Sequence, residues 1–205
     1  MGKVRFTTGE LKRQRDALRQ YRRYLPTLQL KKQQLQVEIF HQHGLLKEKK
    51  QAESKIIGSI RAWAGLLVDY GPELREWVRP KEVITGCRNV AGVDLPFFER
   101  VEFEPADYDL FVMPLWVDTA VEELRTLVSL TEEILIIEQG VALLQHELRI
   151  TTQRVNLFEK VKIPEAEEAI RQIKIYLGDQ MTLAVGRSKI AKRKIEANSM
   201  AGVSA

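Results

Sequence analysis

Three groups of side chains in this 205-residue chain have the types to do chemistry: His41 and His43, the lone Cys87 beside Arg88, and basic runs at both ends. A metal site needs ligands that converge on one point. His41 and His43 lie two residues apart, which on a helix points them in different directions, and no carboxylate or cysteine pattern completes a ligand set. Solvated helix-surface histidines are expected. A cationic neighbour such as Arg88 can activate a thiolate, but no histidine is close in sequence to serve Cys87 as a base, so an inert thiol is expected.

Gly186-Arg187-Ser188-Lys189 shares letters with a phosphate loop, yet the spacing G-x-x-x-x-G-K-[ST] is absent and the segment follows a helical pattern rather than a strand. Neither G-x-S-x-G nor H-E-x-x-H occurs. No catalytic residue, no cofactor site and no metal site is expected. The basic runs Lys12-Arg13-Gln14-Arg15, Arg22-Arg23, Lys31-Lys32 and Lys192-Arg193-Lys194 admit two readings. They suit phosphates, as basic helices do, or they form a solvated face that meets a protein partner. No helix-turn-helix, zinc or RNA-binding signature accompanies them, which favours the second.

The elements that must position these residues are long helices. Leu11, Leu18, Leu25, Ile39, Leu46 and Ile60 repeat at one heptad position, with Tyr21, Leu28, Leu35, Ile56 and Trp63 at the other. Lys32, Gln42, Lys49 and Glu53 interrupt that stripe. The second stripe, Leu127, Leu130, Ile134, Ile137, Val141, Leu144, Leu148, Thr151, Val155 and Phe158, steps by three and four without a break. Each stripe needs a partner to bury it, and helix, insert, helix can fold back on itself. The expected fold is mainly α: a long antiparallel two-helix coiled coil with a short insert containing a β-hairpin.

After Phe158 the stripe resumes as Ile163, Ala166, Ile170, Ile173 and Leu177, one residue out of phase, with Pro164 at the change. A proline inside a helix removes one hydrogen bond and crowds the preceding turn, so a kink or a local change of winding is expected there. Pro26 raises the same question in the first helix. The expected organisation is an N-terminal coiled-coil helix over 1–79, an insert over 80–113, a C-terminal coiled-coil helix over 114–198 and a flexible tail over 199–205. In the insert, Val83-Ile84-Thr85 and the alternating run Phe98 to Phe103 read as a short two-stranded ribbon, punctuated by Gly86, Gly92, Pro96 and Pro105. Such a ribbon is marginal alone and must rest on the coiled coil or on a partner. Trp63, Trp77, Phe97, Phe98, Phe111 and Trp116 are expected to pack its small core.

Composition excludes other classes. A chain 44% hydrophobic and 29% charged is not disordered. No run of about 18 apolar residues exists to span a membrane, the start Met1-Gly2-Lys3-Val4-Arg5-Phe6 lacks the apolar run of a signal peptide, and a single cysteine fits a reducing cytoplasm. The net charge of +4 hides a pattern: residues 1–60 carry 14 Lys and Arg against 5 acids, residues 61–140 carry 7 against 16, and residues 185–205 carry 5 against 1. In an antiparallel hairpin both basic termini would lie at one tip, with the acidic middle at the far end.

The segment Thr152 to Pro164 contains Arg154, Val155, Asn156, Glu159, Ile163 and Pro164 in the order R-V-N-x-x-E-x-x-x-I-P. That pattern resembles the signature of the D subunit of V-type and archaeal-type rotary ATPases. Asn89-Val90-Ala91-Gly92-Val93-Asp94-Leu95-Pro96 is similar to the family's central N-V-x-G-V-x-x-P segment, and Leu11-Lys12, Leu28, Lys31-Lys32 and Leu35 match its N-terminal pattern. Departures at Pro26, Leu30, Phe6 to Glu10 and Met181 to Ala184 point to a divergent, bacterial branch.

The resemblance implies a central-stalk rotor shaft, itself non-catalytic, that transmits torque between an ATP-hydrolysing or ATP-synthesising head and an ion-translocating membrane ring. The implied partners are the A and B subunits of the head, the small F subunit of the stalk and the funnel-shaped protein on the ring. The carboxylates that bind the coupled proton or sodium ion would lie in membrane subunits. Lys12, Arg13, Arg15, Arg187, Lys192 and Arg193 would then enter the head, while Asn89, Gly92 and Pro96 would face the stalk base. Localisation would be cytoplasmic, peripheral to the membrane. The alternatives are a homodimeric structural coiled coil and a basic nucleic-acid-binding rod.

Overall fold

A computed structural model describes residues 5–68, 71–106, 113–114 and 116–202. Two long helical stretches flank a two-stranded antiparallel hairpin. In chain order these are α1 (Thr8–Trp63), a 3-10 turn (Ala64–Val68), α2 (Gly71–Val78), β1 (Pro80–Val90), β2 (Val93–Phe103), α3 (Trp116–Leu157), a π-turn (Phe158–Lys162) and α4 (Ile163–Gly202). The chain divides into two compact units, one of Leu30–Thr152 and one of Met1–Gln29 with Gln153–Ala205.

Within the Leu30–Thr152 unit, α1 and α3 run antiparallel. Lys31 pairs with Glu147 at 2.8 Å and Lys49 with Glu133 at 2.8 Å, so rising numbers on α1 meet falling numbers on α3. Leu35 and Leu144, both fully buried, form the seam together with Ile60, Ile134 and Val141. Three of the polar residues that interrupt the α1 stripe are satisfied locally. Lys49 has Glu133, Glu53 accepts a hydrogen bond from the Thr131 hydroxyl at 3.2 Å, and the Gln42 amide donates to Glu38 at 2.8 Å. A polar group in a seam is tolerated when it is paired, because an unpaired one costs about 1–3 kcal/mol.

The first helix ends at Trp63, and helix resumes as α2 from Gly71 to Val78. Gly65 and the Gly71-Pro72 pair follow the last seam residue, and helix propagation fails where no stripe remains to be buried. The hairpin is longer than the two short runs expected: each strand has 11 residues. Ala91 (φ 51°) and Gly92 (φ 78°) form the two-residue connection, both in the left-handed region that such tight hairpin turns require. Opposite Phe97 stands Gly86, where a Cβ would fall 2.3 Å from the Phe97 ring, so the absence of a side chain lets the ring lie across the strand. Glu99 has no partner where the register shifts between Ile84 and Thr85, the mark of a bulge.

The hairpin rests on the helices. Leu95, 4% exposed, packs with Leu35 and Leu144, and Val90, Ala91 and Val93 surround it. A Cβ on Gly140 of α3 would stand 4.0 Å from the Pro96 carbonyl oxygen, an ordinary contact, and Arg88 pairs with Glu38 at 2.7 Å. A second cluster, Leu74, Val117 and Val121, gathers Trp77, Met113, Trp116 and Leu124. Arg125 donates to the Trp77 and Glu104 carbonyls and lies 5.2 Å from the centre of the Phe103 ring. The aromatics therefore do not build one core around the ribbon: Trp77 and Trp116 serve this second cluster, while Trp63 donates its indole N–H to Glu123. Phe111 lies outside the described residues.

Within the other unit, α1 starts on Thr7, whose hydroxyl accepts the Glu10 N–H at 3.2 Å and whose carbonyl accepts the Leu11 N–H. Arg22 pairs with Glu167 at 2.6 Å, and Tyr21 meets Phe158 with ring centres 5.3 Å apart. Val155, Ala166, Ala169, Ile170 and Ile173 are buried. The phase change at Pro164 is absorbed by the π-turn, in which the Ile163 N–H bonds to the Phe158 carbonyl five residues back. One extra residue in that turn returns Ile163 and Ala166 to the seam. The wider winding also relieves the crowding that Pro164 would impose on the preceding turn. Pro26 sits inside α1 on an exposed face, where water reaches the carbonyl that loses its partner.

Candidate functional site

No arrangement of catalytic type is built by the histidines or the cysteine. His41, His43 and Cys87 are all exposed, and among the described residues no group of three or more His, Cys, Asp and Glu has the geometry to hold a metal ion. Gly186 to Lys189 lie inside α4, so their backbone N–H groups are used in helix bonds and cannot cradle a phosphate. A groove of about 370 Å³ runs beside the hairpin, lined by Leu45, Leu95, Pro96, Phe98 and Ile137 among others. The two charged residues on it, Arg88 and Glu133, are engaged by Glu38 and Lys49.

What the chain does present is surface that it leaves uncovered. In α4, residues 178–197 are exposed throughout. Met181 (67% exposed), Val185 and Ile195 continue the face that carries the seam earlier in the helix, while Leu183 and Ile190, seven apart, lie on the opposite face. Apolar side chains thus stand uncovered on two sides of one helix. Among these residues stand Arg187, Lys192 and Arg193, all exposed, with Lys192 3.8 Å from Glu196. Lys12, Arg13 and Arg15 are exposed on α1 of the same unit, Arg13 lying 3.9 Å from Glu10.

The signature residues surround the π-turn. Val155 is buried and Ile163 half-buried, which gives them a packing role, whereas Arg154, Asn156, Glu159 and Pro164 are exposed. Farther along α4, hydrogen bonds from Arg171 and Gln172 hold the Glu168 carboxyl down at about 2, and Arg171 is pushed up in return. At the hairpin connection, Asn89 donates to Asp94 at 2.6 Å and accepts the Gly92 N–H at 3.1 Å, while Pro96 is half-buried against α3. Asn89 therefore organises the turn in addition to being exposed.

Sequence reasoning passed over Val37 and Phe40, which are 70% and 82% exposed on the side of α1 away from the seam, and noted Leu30, 55% exposed on that side, only as a departure from the family pattern. Their signal was present as apolar residues off the heptad positions. The heptad search drew attention away from it.

Comparison with known proteins bears on what these surfaces meet. Residues 10–193 match the family model for the ATP synthase D subunit. The chain is 44% identical over 195 residues to the V-type ATP synthase D subunit of Borreliella burgdorferi, covering 95% of this chain and 96% of that one. It is 34% identical over 197 residues to that of Chlamydia abortus, with 94% of each chain covered. The matched span takes in the hairpin, the π-turn and most of the uncovered helix, so the features that set this chain apart lie within the shared region. The chain belongs to the ATP synthase D-subunit family.

Proposed function

We propose that this protein is the central-stalk rotor shaft of a V/A-type rotary ATPase, a non-catalytic component that transmits torque between the nucleotide-processing head and the ion-translocating membrane ring. The observation that carries the reading is the α4 segment 178–197, a helix apolar on two faces with no cover of its own. A helix enclosed by the cavity of a hexamer would have both faces buried. Lys12, Arg13, Arg15, Arg187, Lys192 and Arg193 are the proposed contacts with the A and B subunits of the head. Asn89, Gly92 and Pro96 are proposed to face the F subunit of the stalk and the funnel-shaped protein of the ring. No helix among the described residues is long and apolar enough to cross a membrane, which suits a proposed cytoplasmic site at the membrane periphery.

The chemistry of ATP belongs to the partners in this reading. A shaft without threefold symmetry contacts three catalytic interfaces unequally, so each rotor angle favours a different state at each nucleotide site. Binding and hydrolysis of ATP then shift the preferred angle in return. Exposed basic side chains suit a turning contact, because screened surface pairs are individually worth about 0–1 kcal/mol and let go easily.

The test is ATP hydrolysis by the A–B hexamer of the same organism, with and without this protein, followed by size-exclusion chromatography of the mixture. One copy bound per hexamer with altered turnover is expected. A stable homodimer that ignores the hexamer would overturn the reading in favour of a structural coiled coil.

A further inference from the structure

Among the described residues, every ion pair that crosses between α1 and α3 has its cation on α1 and its carboxylate on α3: Lys31 with Glu147 at 2.8 Å, Lys49 with Glu133 at 2.8 Å and Lys50 with Glu138 at 2.6 Å. The division extends beyond the pairs. Residues 30–63 carry seven Lys and Arg against three acids, and residues 116–152 carry seven acids against two Arg. From Lys31 to Lys50 the pairs span roughly 28 Å of α1, at about 1.5 Å per residue.

The apolar seam alone does not choose one alignment of the two helices. It repeats every seven residues, so sliding α3 by one heptad, about 10 Å, brings Ile137 to the place of Leu144 opposite Leu35 and still sets apolar side chains against apolar ones. The charges do not share that repeat. Seven residues before Glu147, Glu133 and Glu138 stand Gly140, Thr126 and Thr131; seven residues after them stand Arg154, Gly140 and Gln145. A slip in either direction therefore takes all three carboxylates away from their lysines, and in one direction it brings Arg154 level with Lys31. The Trp63 indole N–H, which donates to Glu123 at 3.1 Å, would meet Trp116 or Leu130 instead. Leu95, packed with Leu35 and Leu144, fixes the alignment at one level only, whereas the ion pairs repeat the constraint along the helices. Pairs as exposed as these are individually weak, so they act by discrimination: a slipped alignment loses all of them together.

We propose that these three ion pairs, with the Trp63 to Glu123 hydrogen bond, form a register key that holds α1 and α3 against sliding by a heptad. The key stands on the chain's own contacts and does not depend on the shaft reading. Under that reading it has a use, because helices that cannot slide past one another pass a twist along without losing it.

The test measures the alignment directly, by double electron–electron resonance between spin labels on the full chain carrying C87S/Q51C/Q145C, whose two labelled positions are exposed. A heptad slip moves one label about 10 Å along the axis relative to the other. The unaltered pairs are expected to give one distance. K31E/K49E/K50E is expected to add a second distance, displaced by about 5–10 Å, and the full exchange K31E/K49E/K50E/E133K/E138K/E147K is expected to restore the single native one. The charge-matched control K47E/K55E/K81E is expected to keep the native distance. Should circular dichroism show that K31E/K49E/K50E loses helix, K31Q/K49Q/K50Q removes the pairs without adding repulsion and is read in the same way. A single native distance in the variant without its pairs overturns the proposal, as does a full exchange that fails to recover that distance or a control that slips equally.

Discussion

Glu168 and Leu35 show how differently single residues act in this chain. The Glu168 carboxyl, ordinarily titrating at 4.5, is held at about 2, first by the Arg171 hydrogen bond and then by that of Gln172. A depressed carboxylate pKa means that the pair's contribution is present above the ordinary value and disappears as pH falls through about 2. In an NMR titration of the side chain, R171M is expected to move the midpoint up toward 4.5, and added salt is expected to move it the same way in the wild type. Leu35 acts through packing. It is fully buried and touches both Leu95 of the hairpin and Leu144 of α3. L35A is expected to cost about 2–5 kcal/mol in denaturant unfolding and to loosen the hairpin in hydrogen exchange.

At the scale of elements, the π-turn is the most specific device. Deleting Val161 would leave Val155, Phe158, Ile163, Ala166, Ile170, Ile173 and Leu177 stepping by three and four without a break, so a regular α-helix would serve the seam. Pro164 would then sit in an ordinary helix interior, where it costs about 3 kcal/mol. The deletion alone is therefore expected to lower Tm. Combined with P164A it is expected to bring Tm back to the wild-type value or above. If the deletion with P164A stayed as unstable as the deletion alone, seam phase would not be the reason for the π-turn. The hairpin is the second device: its two 11-residue strands are too small a sheet to stand alone, and Leu95 ties them to the helices.

For the whole molecule, the uncovered part of α4 separates folding from assembly. Residues 178–197 are exposed and supply no member of the buried core. Truncation after Gly178 is expected to leave the thermal transition of the remaining chain unchanged within a few degrees, while binding to the A–B hexamer falls by at least about tenfold. A truncated chain that binds as well as the full one would place the head contact elsewhere. Loss of cooperative unfolding on truncation would mean that the segment holds the fold together instead of serving a partner.

The helices, their pairing and the family were all legible in the order of the residues. Seam residues at three- and four-residue spacing have one way to be buried, and the one-residue slip between Phe158 and Ile163 already demanded a change of winding. The motif from Arg154 to Pro164 was readable because its residues lie close together in the chain. Contacts between residues far apart in the chain settled the rest. The α1 helix stops at Trp63, because burial and not propensity sustains a long helix. The hairpin sits where Leu95 packs with Leu35 and Leu144, and no local pattern around Leu95 names those partners. Which cations stand unanswered was likewise settled in space: Arg22 and Arg19 look alike in sequence, but Glu167, 145 residues away from Arg22, reaches only one of them.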